Sequence, residues 1–268
     1  MHPGSGPSDR DNDVFFPPIR THLLDAGFAV CSFDKRGVGA STGRWQEAGI
    51  VEQADDMLAC LHELARDPDL GGPIGIFGHS QGGWVVIDAA GREPEIAFAV
   101  TSSGPGVTPA AQERYSAVRH LEKAGASQAQ RDAALRDFDL IVELMRGRVP
   151  FEVARRTIED EAIGNGSGDL ELPFVPDDAA VWDHACSIID YDPRPALERT
   201  RVPLLALFGS DDDVVPVAES VSVLRAVVRP DLLTVDVLPG DHRVQNGDPP
   251  ATSARYLEAL TSFVAAAV

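Results

Sequence analysis

A serine between glycines, at the junction of an apolar run and a helical segment, is the residue best placed for covalent chemistry. Residues 78–82 read Gly-His-Ser-Gln-Gly, after the apolar run Ile74 to Phe77 and before a helical segment that begins near Trp84. A turn this tight holds its serine in a strained backbone conformation, and a β-carbon two residues before or after it would collide with the neighbouring chain. The start of the helix also offers free N–H groups and the positive end of a dipole to a developing anion. We therefore predict that Ser80 is a nucleophile; the alternative is an ordinary glycine-rich turn.

A histidine is required next, because a serine hydroxyl is a poor nucleophile near neutral pH unless an imidazole accepts its proton. The chain has seven histidines, and His242 lies in the loop Pro239 to Arg243, directly after the last apolar run. We predict that His242 is the base. His79 stands inside the turn itself and is expected to pack beneath the nucleophile. Four others fall on presumed helices, where a surface or purely structural role is the simpler interpretation: His22, His62, His120 and His184.

A carboxylate must orient that imidazole and hold its tautomer. Three consecutive aspartates, Asp211, Asp212 and Asp213, follow the apolar run Leu204 to Phe208, which is predicted as a strand. All three would lie at the carboxyl end of that strand. An aspartate there can also be solvated or cap the next helix, so position alone leaves the choice open.

Three motifs taken together resemble one known superfamily. They are Gly4-Ser5-Gly6-Pro7 with Asp9-Arg10-Asp11, then Phe33-Asp34-Lys35-Arg36-Gly37-Val38-Gly39-Ala40-Ser41-Thr42-Gly43, then Gly78-His79-Ser80-Gln81-Gly82. The combination is similar to the α/β-hydrolase esterases often labelled dienelactone-hydrolase-like or prolyl-oligopeptidase-like. True dienelactone hydrolases differ at the nucleophile, which is a cysteine there and Ser80 here.

The resemblance implies which acid is used and which groups form an oxyanion hole. In this superfamily serine, acid and histidine follow in that order. The spacing G-x-x-D-x-x-V-P selects Asp212, which stands three residues after Gly209 and three before Val215. The implied oxyanion donors are the backbone N–H groups of Ser5 and Gln81.

The expected reaction is cleavage of a carboxylic ester, or a related acyl bond, through an acyl-enzyme on Ser80. The same machinery serves peptidases and acyltransferases, and a catalytically inactive, truncated or binding-only homologue is a further alternative. The expected partner is a small-molecule acyl substrate, and neither a cofactor nor a metal is expected. A net charge of −19 argues against nucleic-acid and anionic-membrane partners. Nothing in the sequence indicates an oligomeric state.

The elements that must position these residues follow from the hydrophobic pattern. Short apolar runs typical of buried parallel strands alternate with helical stretches, which predicts an α/β fold with a mostly parallel sheet flanked by helices. The runs are Phe28 to Phe33, Ile74 to Phe77, Ala97 to Val100, Leu204 to Phe208 and Leu232 to Leu238. In residues 105–197 this alternation stops, and the pattern predicts polar-faced helices with no strand between them. We therefore predict a helical cap, residues 105–197, inserted into a core of residues 1–104 and 198–268.

The start of the chain departs from the superfamily pattern. The superfamily places three strands before the Gly-Ser-Gly-Pro loop, and the third would lie between the strands predicted at Phe28 to Phe33 and Ile74 to Phe77. Only Met1, His2 and Pro3 precede that loop here. A missing central strand would leave two unpaired edges inside the sheet. We expect the N-terminal strands to be missing from this sequence.

Two further sets of side chains have both a functional and a structural interpretation. The charged run Asp34 to Gly37 could clamp a substrate, but a loop tied down by Asp34 and Arg36 is the simpler interpretation. Apolar residues of the predicted cap could line an acyl pocket or simply pack together: Phe138, Leu144, Met145, Phe151, Phe174 and Trp182.

The cysteines and the apolar stretches bear on the compartment. Cys31, Cys60 and Cys186 are odd in number and far apart, which predicts free thiols rather than a disulfide framework or a metal site. No apolar stretch has the length needed to cross a bilayer, and the amino terminus lacks the order of a signal peptide. A cytoplasmic location is the expectation.

Overall fold

Four parallel strands form the central sheet of the computed structural model, which describes residues 1–165, 176 and 178–268. The strands are β1 (Ile76–His79), β2 (Ala99–Ser102), β3 (Leu204–Gly209) and β4 (Leu233–Leu238), in the spatial order β1-β2-β3-β4. His79 pairs with Ser102, and Gly209 pairs with Leu238, so the carboxyl ends of neighbouring strands meet at one edge of the sheet. Four of the five predicted strands are therefore present, each within two residues of its predicted bounds.

Helices form much of the remaining described structure. In chain order they are α1 (Phe16–Asp25), α2 (Ile50–Leu64), α3 (Gln81–Ala90), α4 (Pro109–Lys123), α5 (Gln128–Arg146), α6 (Phe151–Asn165), α7 (Ala179–Ile188), α8 (Arg194–Arg199), α9 (Val217–Val227) and α10 (Ala254–Ala267). A short antiparallel pair, β5 (Gln245–Asn246) and β6 (Ala251–Thr252), precedes α10. Every residue of α3 is buried, so the helix that starts at the candidate nucleophile is held rigidly.

The contacts divide the described chain into two compact units: a core unit of residues 1–107 and 192–268, and a helical unit of residues 108–191. The predicted insertion ran from residue 105 to residue 197. The difference includes α8, whose Ala196 and Leu197 are buried and which packs against α3 in the core unit. The helical unit consists of α4 to α7. Its role as a cap stays a prediction.

Three of the four strands of the sheet are buried, because helices such as α3 and α10 pack against them. Every residue of β1, β2 and β3 is buried, as parallel strands with continuous apolar runs require. One apolar cluster joins Phe77 and Leu207 of the sheet to Ile19 of α1 and to Tyr256 and Leu260 of α10. This packing holds the carboxyl edge of the sheet, where the candidate site lies.

The prediction of a strand at Phe28 to Phe33 is wrong. Residues 28–35 follow α1 in an extended loop that is assigned to no strand. A strand needs a ladder of backbone hydrogen bonds to a neighbour. A groove of about 910 Å³ separates this segment from β1, so the apolar run lacks that ladder.

Met1 lines this groove, and the amino-terminal residues bond to both of the segments beside it. The Met1 ammonium donates to the Cys31 carbonyl at 2.7 Å, and His2 forms an isolated parallel bridge with Gly78 of β1. The His2 N–H donates to the Phe77 carbonyl at 2.8 Å, and the His2 carbonyl accepts from the His79 N–H at 3.2 Å. Among the described residues, no helix is both long and apolar enough to cross a membrane.

Candidate active site

Ser80 stands at the turn between β1 and α3, in the strained conformation that its motif predicts. Its backbone has φ 54° and ψ −122°, a region that residues with a β-carbon avoid. A β-carbon on Gly78 would lie 2.0 Å from the Gly82 carbonyl oxygen, and one on Gly82 would lie 2.5 Å from the His2 carbonyl oxygen. The two glycines are therefore required for the turn to close against the His2 backbone.

The structure brings Ser80, His242 and Asp212 together. The His242 Nε2 lies 3.0 Å from the Ser80 Oγ, although 162 residues separate them. On the other side of the ring, Nδ1 lies 2.9 Å and 3.1 Å from the two carboxylate oxygens of Asp212. The arrangement can move a proton from the hydroxyl to the imidazole while the carboxylate holds the ring.

The Asp212 carboxylate is fixed by the turn that follows β3. Its side chain is fully buried, and Oδ1 accepts the N–H groups of Val214 and Val215 at 2.8 Å each. These two bonds hold the carboxylate in place next to His242. Asp211 is exposed and accepts from the Ser210 hydroxyl at 3.0 Å. Of the three candidate aspartates, Asp212 is the one within hydrogen-bond distance of the His242 ring.

His79 is buried beneath the site. Its Nδ1 lies 3.1 Å from the Ser102 carbonyl oxygen, and its ring centroid lies 4.5 Å from that of Phe15 and 5.0 Å from that of His242. A carbonyl can only accept, so Nδ1 carries the proton. Burial, and next the proximity of His242, lower the pKa of His79 well below its ordinary value. His79 therefore supports the base from below and stays neutral.

The loop that contains Ser5 lies beside the nucleophile. A β-carbon on Gly4 would stand 3.5 Å from the Ser80 Cβ, and the Gly4 N–H donates to the Asn12 Oδ1 at 3.0 Å. Ser5, the next residue, is exposed. Gln81 is the first residue of α3, so its N–H has no acceptor within the helix. Both predicted donors thus flank Ser80.

Two residues at this site were missed by sequence reasoning. Asn12 anchors the Gly4 loop, and Lys35 lies buried against both the loop and α3. The Lys35 Nζ donates to the Gly4 carbonyl and, at 2.9 Å, to the Gln81 Oε1. The signal for Lys35 was its place inside the Asp34 to Gly37 run, but its partners are distant in sequence and only the fold identifies them.

The charged neighbours of Lys35 hold their loop in place. The Asp34 carboxylate accepts from the Arg10 side chain at 2.6 Å and 3.0 Å and from the Arg10 backbone N–H at 2.9 Å. The Arg10 guanidinium beside it holds the pKa of Asp34 well below its usual range. Arg36 forms a two-point ion pair with Asp56 of α2 at 2.7 Å and 2.8 Å. These bonds favour the structural interpretation of the run over a substrate clamp.

Apolar residues proposed as pocket lining form the interior of the helical unit. Phe138, Met145 and Trp182 are buried in one cluster, and Leu144 and Phe151 pack against it. The Trp182 indole N–H donates to the Val149 carbonyl at 2.8 Å, which fixes the ring inside that cluster. Packing is therefore the interpretation that the contacts favour. Phe174 lies outside the described residues.

Comparisons with known proteins agree with this fold. A mouse protein, palmitoyl-protein thioesterase ABHD10, mitochondrial, is 24% identical over 234 residues, which is 87% of this chain and 65% of that protein. The chain thus spans about two thirds of the length of that relative. The 3-oxoadipate enol-lactonase 2 of Acinetobacter baylyi is 26% identical over 273 aligned positions, covering 95% of this chain and 90% of that protein.

Solved structures and a family match fix the fold. The crystal structure of VinJ superposes with a TM-score of 0.62 at 19% identity, covering 99% of this chain and 89% of that chain. The predicted α/β-hydrolase fold, a parallel sheet flanked by helices, is confirmed. Residues 14–147, half of the chain, match the family described as serine aminopeptidase, S33. The chain therefore belongs to that family, within the α/β-hydrolase superfamily.

Proposed function

We propose that this chain is a serine hydrolase that cleaves a carboxylic ester, or a closely related acyl bond, through an acyl-enzyme on Ser80. The observation that carries the proposal is the continuous chain of hydrogen bonds from Ser80 through His242 to Asp212. The curated names support the acyl-bond class, because one relative is a thioesterase and another a lactonase. The substrate is a small acyl compound.

Acylation begins when the Ser80 Oγ attacks the carbonyl carbon of the substrate and His242 Nε2 accepts the hydroxyl proton. Asp212 stabilises the imidazolium that forms. The carbonyl oxygen becomes an oxyanion that accepts the N–H groups of Ser5 and Gln81. When the tetrahedral intermediate collapses, His242 returns the proton to the leaving alkoxide, which departs as an alcohol.

Deacylation repeats the same steps with water. His242 accepts a proton from water as the water oxygen attacks the acyl carbon of the Ser80 ester. The second tetrahedral intermediate collapses, the acid leaves, and Ser80 recovers its proton from His242. The sum is ester plus water giving acid plus alcohol, with the enzyme unchanged.

Amide hydrolysis is a second candidate, favoured by the match to a serine aminopeptidase family. The same residues would act, but an amine leaves only if His242 protonates it in the transition state. Acyl transfer would differ only in the nucleophile that replaces water. We prefer the ester because both curated relatives described above have names that denote acyl–oxygen or acyl–sulfur cleavage.

The test compares substrates and a nucleophile variant on the same preparation. We expect the chain to hydrolyse p-nitrophenyl esters faster than aminoacyl p-nitroanilides, and a fluorophosphonate probe to label it. Ser80→Ala should abolish both the hydrolysis and the labelling. If the chain hydrolyses only amides, the peptidase replaces the esterase as the proposed function. If the protein is folded by circular dichroism but is neither active nor labelled, the proposal is wrong and a binding protein is the better interpretation.

A further inference from the structure

Lys35 is a buried cation with neutral partners. Its side chain is 4% exposed, and its ammonium donates to the carbonyls of Gly4 and Gly6 and to the side-chain oxygen of Gln81, the last at 2.9 Å. Within the described residues no carboxylate forms an ion pair with it. Placing an ammonium in such surroundings opposes folding, because its hydration is lost without a counter-charge. A buried ammonium beside a candidate site is therefore a candidate for a role other than stability.

Its contact with Gly4 controls the direction of the Ser5 N–H. The Gly4 carbonyl and the Ser5 N–H belong to one planar peptide unit, in which the two groups point in opposite directions. A donor that holds the Gly4 oxygen on one side therefore aims the Ser5 N–H to the other side. Gly4 adjoins the nucleophile, since a β-carbon on it would stand 3.5 Å from the Ser80 Cβ.

Lys35 also contacts Gln81, whose backbone N–H is the other predicted oxyanion donor. The Gln81 side chain is buried, and its Oε1 accepts from Lys35, while its backbone N–H opens α3 beside Ser80. Lys35 lies 31 residues from Gly4 and 46 residues from Gln81 in sequence. One ammonium thus joins the two segments that carry the proposed oxyanion donors.

We infer that Lys35 is a positioning residue that holds the N–H groups of Ser5 and Gln81 in the arrangement an oxyanion needs, and that its charge strengthens the Ser5 donor by polarising the Gly4 carbonyl. The inference rests on the proposed serine-hydrolase function. The polarisation follows from the cooperativity of linked hydrogen bonds, in which a donor at the carbonyl oxygen makes the N–H of the same peptide a better donor.

The charge on Lys35 is sensitive to pH in the working range. Burial lowers the pKa of Lys35 to about 7. The neighbouring His2 is uncharged, because burial, and next Lys35 itself, lower the pKa of His2 well below its ordinary value. Asp34 is held by Arg10, and across a small cavity beside Lys35 Arg36 and Asp56 are paired with each other. The partner from α3, Gln81, carries no charge.

The expected consequence is a loss of turnover as pH rises through about 7. Below that pH the ammonium has three N–H donors and a full charge. Above it the neutral amine can donate at most two of these hydrogen bonds and loses the polarising charge. Any pH dependence that comes from the His242 base is common to every Lys35 variant. A fall in kcat with rising pH that changes when residue 35 is substituted is therefore assigned to Lys35.

The experiment measures kcat and KM for a p-nitrophenyl ester from pH 5.5 to 9 with the wild type, Lys35→Met and Lys35→Arg. Lys123→Met serves as the matched control, because Lys123 is the other lysine of the chain and is exposed in the helical unit. We expect Lys35→Met to lower kcat about 10- to 100-fold, below the loss for deleting one oxyanion donor, with little change in KM. The fall in kcat as pH rises through about 7 should be absent in Lys35→Met. Lys35→Arg, which stays charged, should recover part of kcat and move that fall out of range.

Several results would overturn the inference. They are a wild-type profile without a fall in kcat near pH 7, a Lys35→Met variant with unchanged kcat, or a loss confined to KM. Thermal unfolding followed by circular dichroism identifies a variant that fails to fold, in which case the wild-type profile and Lys35→Arg decide. If the wild type hydrolyses esters through Ser80 and Lys35→Met is unaffected, the proposed function stands and only the role of Lys35 falls. If the wild type hydrolyses nothing, both fall.

Discussion

The rings of His79 and His242 are tilted by 47° to each other, with their centroids 5.0 Å apart, yet only one of them can take a proton from Ser80. The Nδ1 of His79 is committed to the Ser102 carbonyl, whereas the Nε2 of His242 lies against the Ser80 hydroxyl. A second positive charge so close would oppose the imidazolium of His242. Burial of His79 removes that conflict, since it lowers the pKa of His79.

This division of roles predicts that His79 supports the site by its shape. His79→Phe keeps an aromatic ring under His242 and should hold kcat within about 3-fold, with about 1 kcal/mol lost from the free energy of unfolding for the missing hydrogen bond. His79→Ala opens a cavity beneath the base and should lose about 2 kcal/mol or more, with a clear fall in kcat. Urea unfolding and ester kinetics measure both. A severe loss of kcat in a well-folded His79→Phe would show that the imidazole itself takes part.

The choice of Asp212 over its neighbour is testable with a matched pair. Asp212→Asn removes the charge that stabilises the His242 imidazolium and should lower kcat by about 10⁴-fold. Asp211→Asn changes an exposed carboxylate one residue away and should leave kcat within about 2-fold. Steady-state kinetics on the two variants separate them. Equal losses would mean that the turn after β3, and not one carboxylate, is what the site requires.

The contact between the turn at Ser80 and the amino-terminal residues predicts that an added methyl group in the turn is not tolerated. A β-carbon on Gly82 would stand 2.5 Å from the His2 carbonyl oxygen and 2.7 Å from that of Pro3, both backbone atoms that cannot swing away. Gly82→Ala should therefore lower stability by about 1–3 kcal/mol and reduce activity more than tenfold. Gly71→Ala, at a glycine with open space around it, is the control and should change neither. Chemical unfolding and ester hydrolysis report the outcome.

The ion pair between Arg10 and Asp34 predicts a contribution to stability that acid removes. The pKa of Asp34 is lowered in the folded chain, chiefly by hydrogen bonds from Arg10, so the folded state binds fewer protons there than the unfolded state. The contribution is complete above the ordinary aspartate pKa of about 4 and is lost as pH falls below it. Wild type should lose more stability than Asp34→Asn between pH 5 and pH 2.5, measured as urea midpoints. Parallel curves for the two proteins would contradict the assignment.

Two cysteines that are far apart in sequence are neighbours in the fold. The Cys31 and Cys60 sulfurs lie 3.9 Å apart as free thiols, and a disulfide needs them at about 2.05 Å. A modest movement would close that distance, so oxidised glutathione should remove two of the three thiols by forming an intramolecular disulfide. Mass spectrometry of trypsin-digested protein should find the Cys31–Cys60 peptide pair, and Cys60→Ser should prevent it. Oxidation that joins Cys186 to either residue instead would refute the pairing.

The sequence alone was sufficient for features in which a few adjacent residues dictate a local geometry. The strand, the glycine-flanked serine and the helix after it lie within residues 76–90, and steric exclusion of β-carbons in the turn fixes their arrangement. The meeting of a serine, a carboxylate and a histidine could be predicted because each follows a strand, and carboxyl ends of parallel strands share one edge. Their order and the choice of Asp212 were implied by the family resemblance. Apolar runs located four strands for the same reason, since burial on both faces leaves a continuous pattern.

Only the tertiary structure decided the features that depend on contacts between segments distant in sequence. The run Phe28 to Phe33 has the composition of a strand but does not form one. A strand needs hydrogen bonds to a neighbouring segment, and a groove separates this run from β1. Lys35 looks like one more charge in a polar loop until the fold buries it between Gly4 and Gln81. Local steric constraints act between residues adjacent in sequence, so the sequence alone is enough to predict them. The burial and the partners of a side chain depend on segments that meet only once the chain has folded.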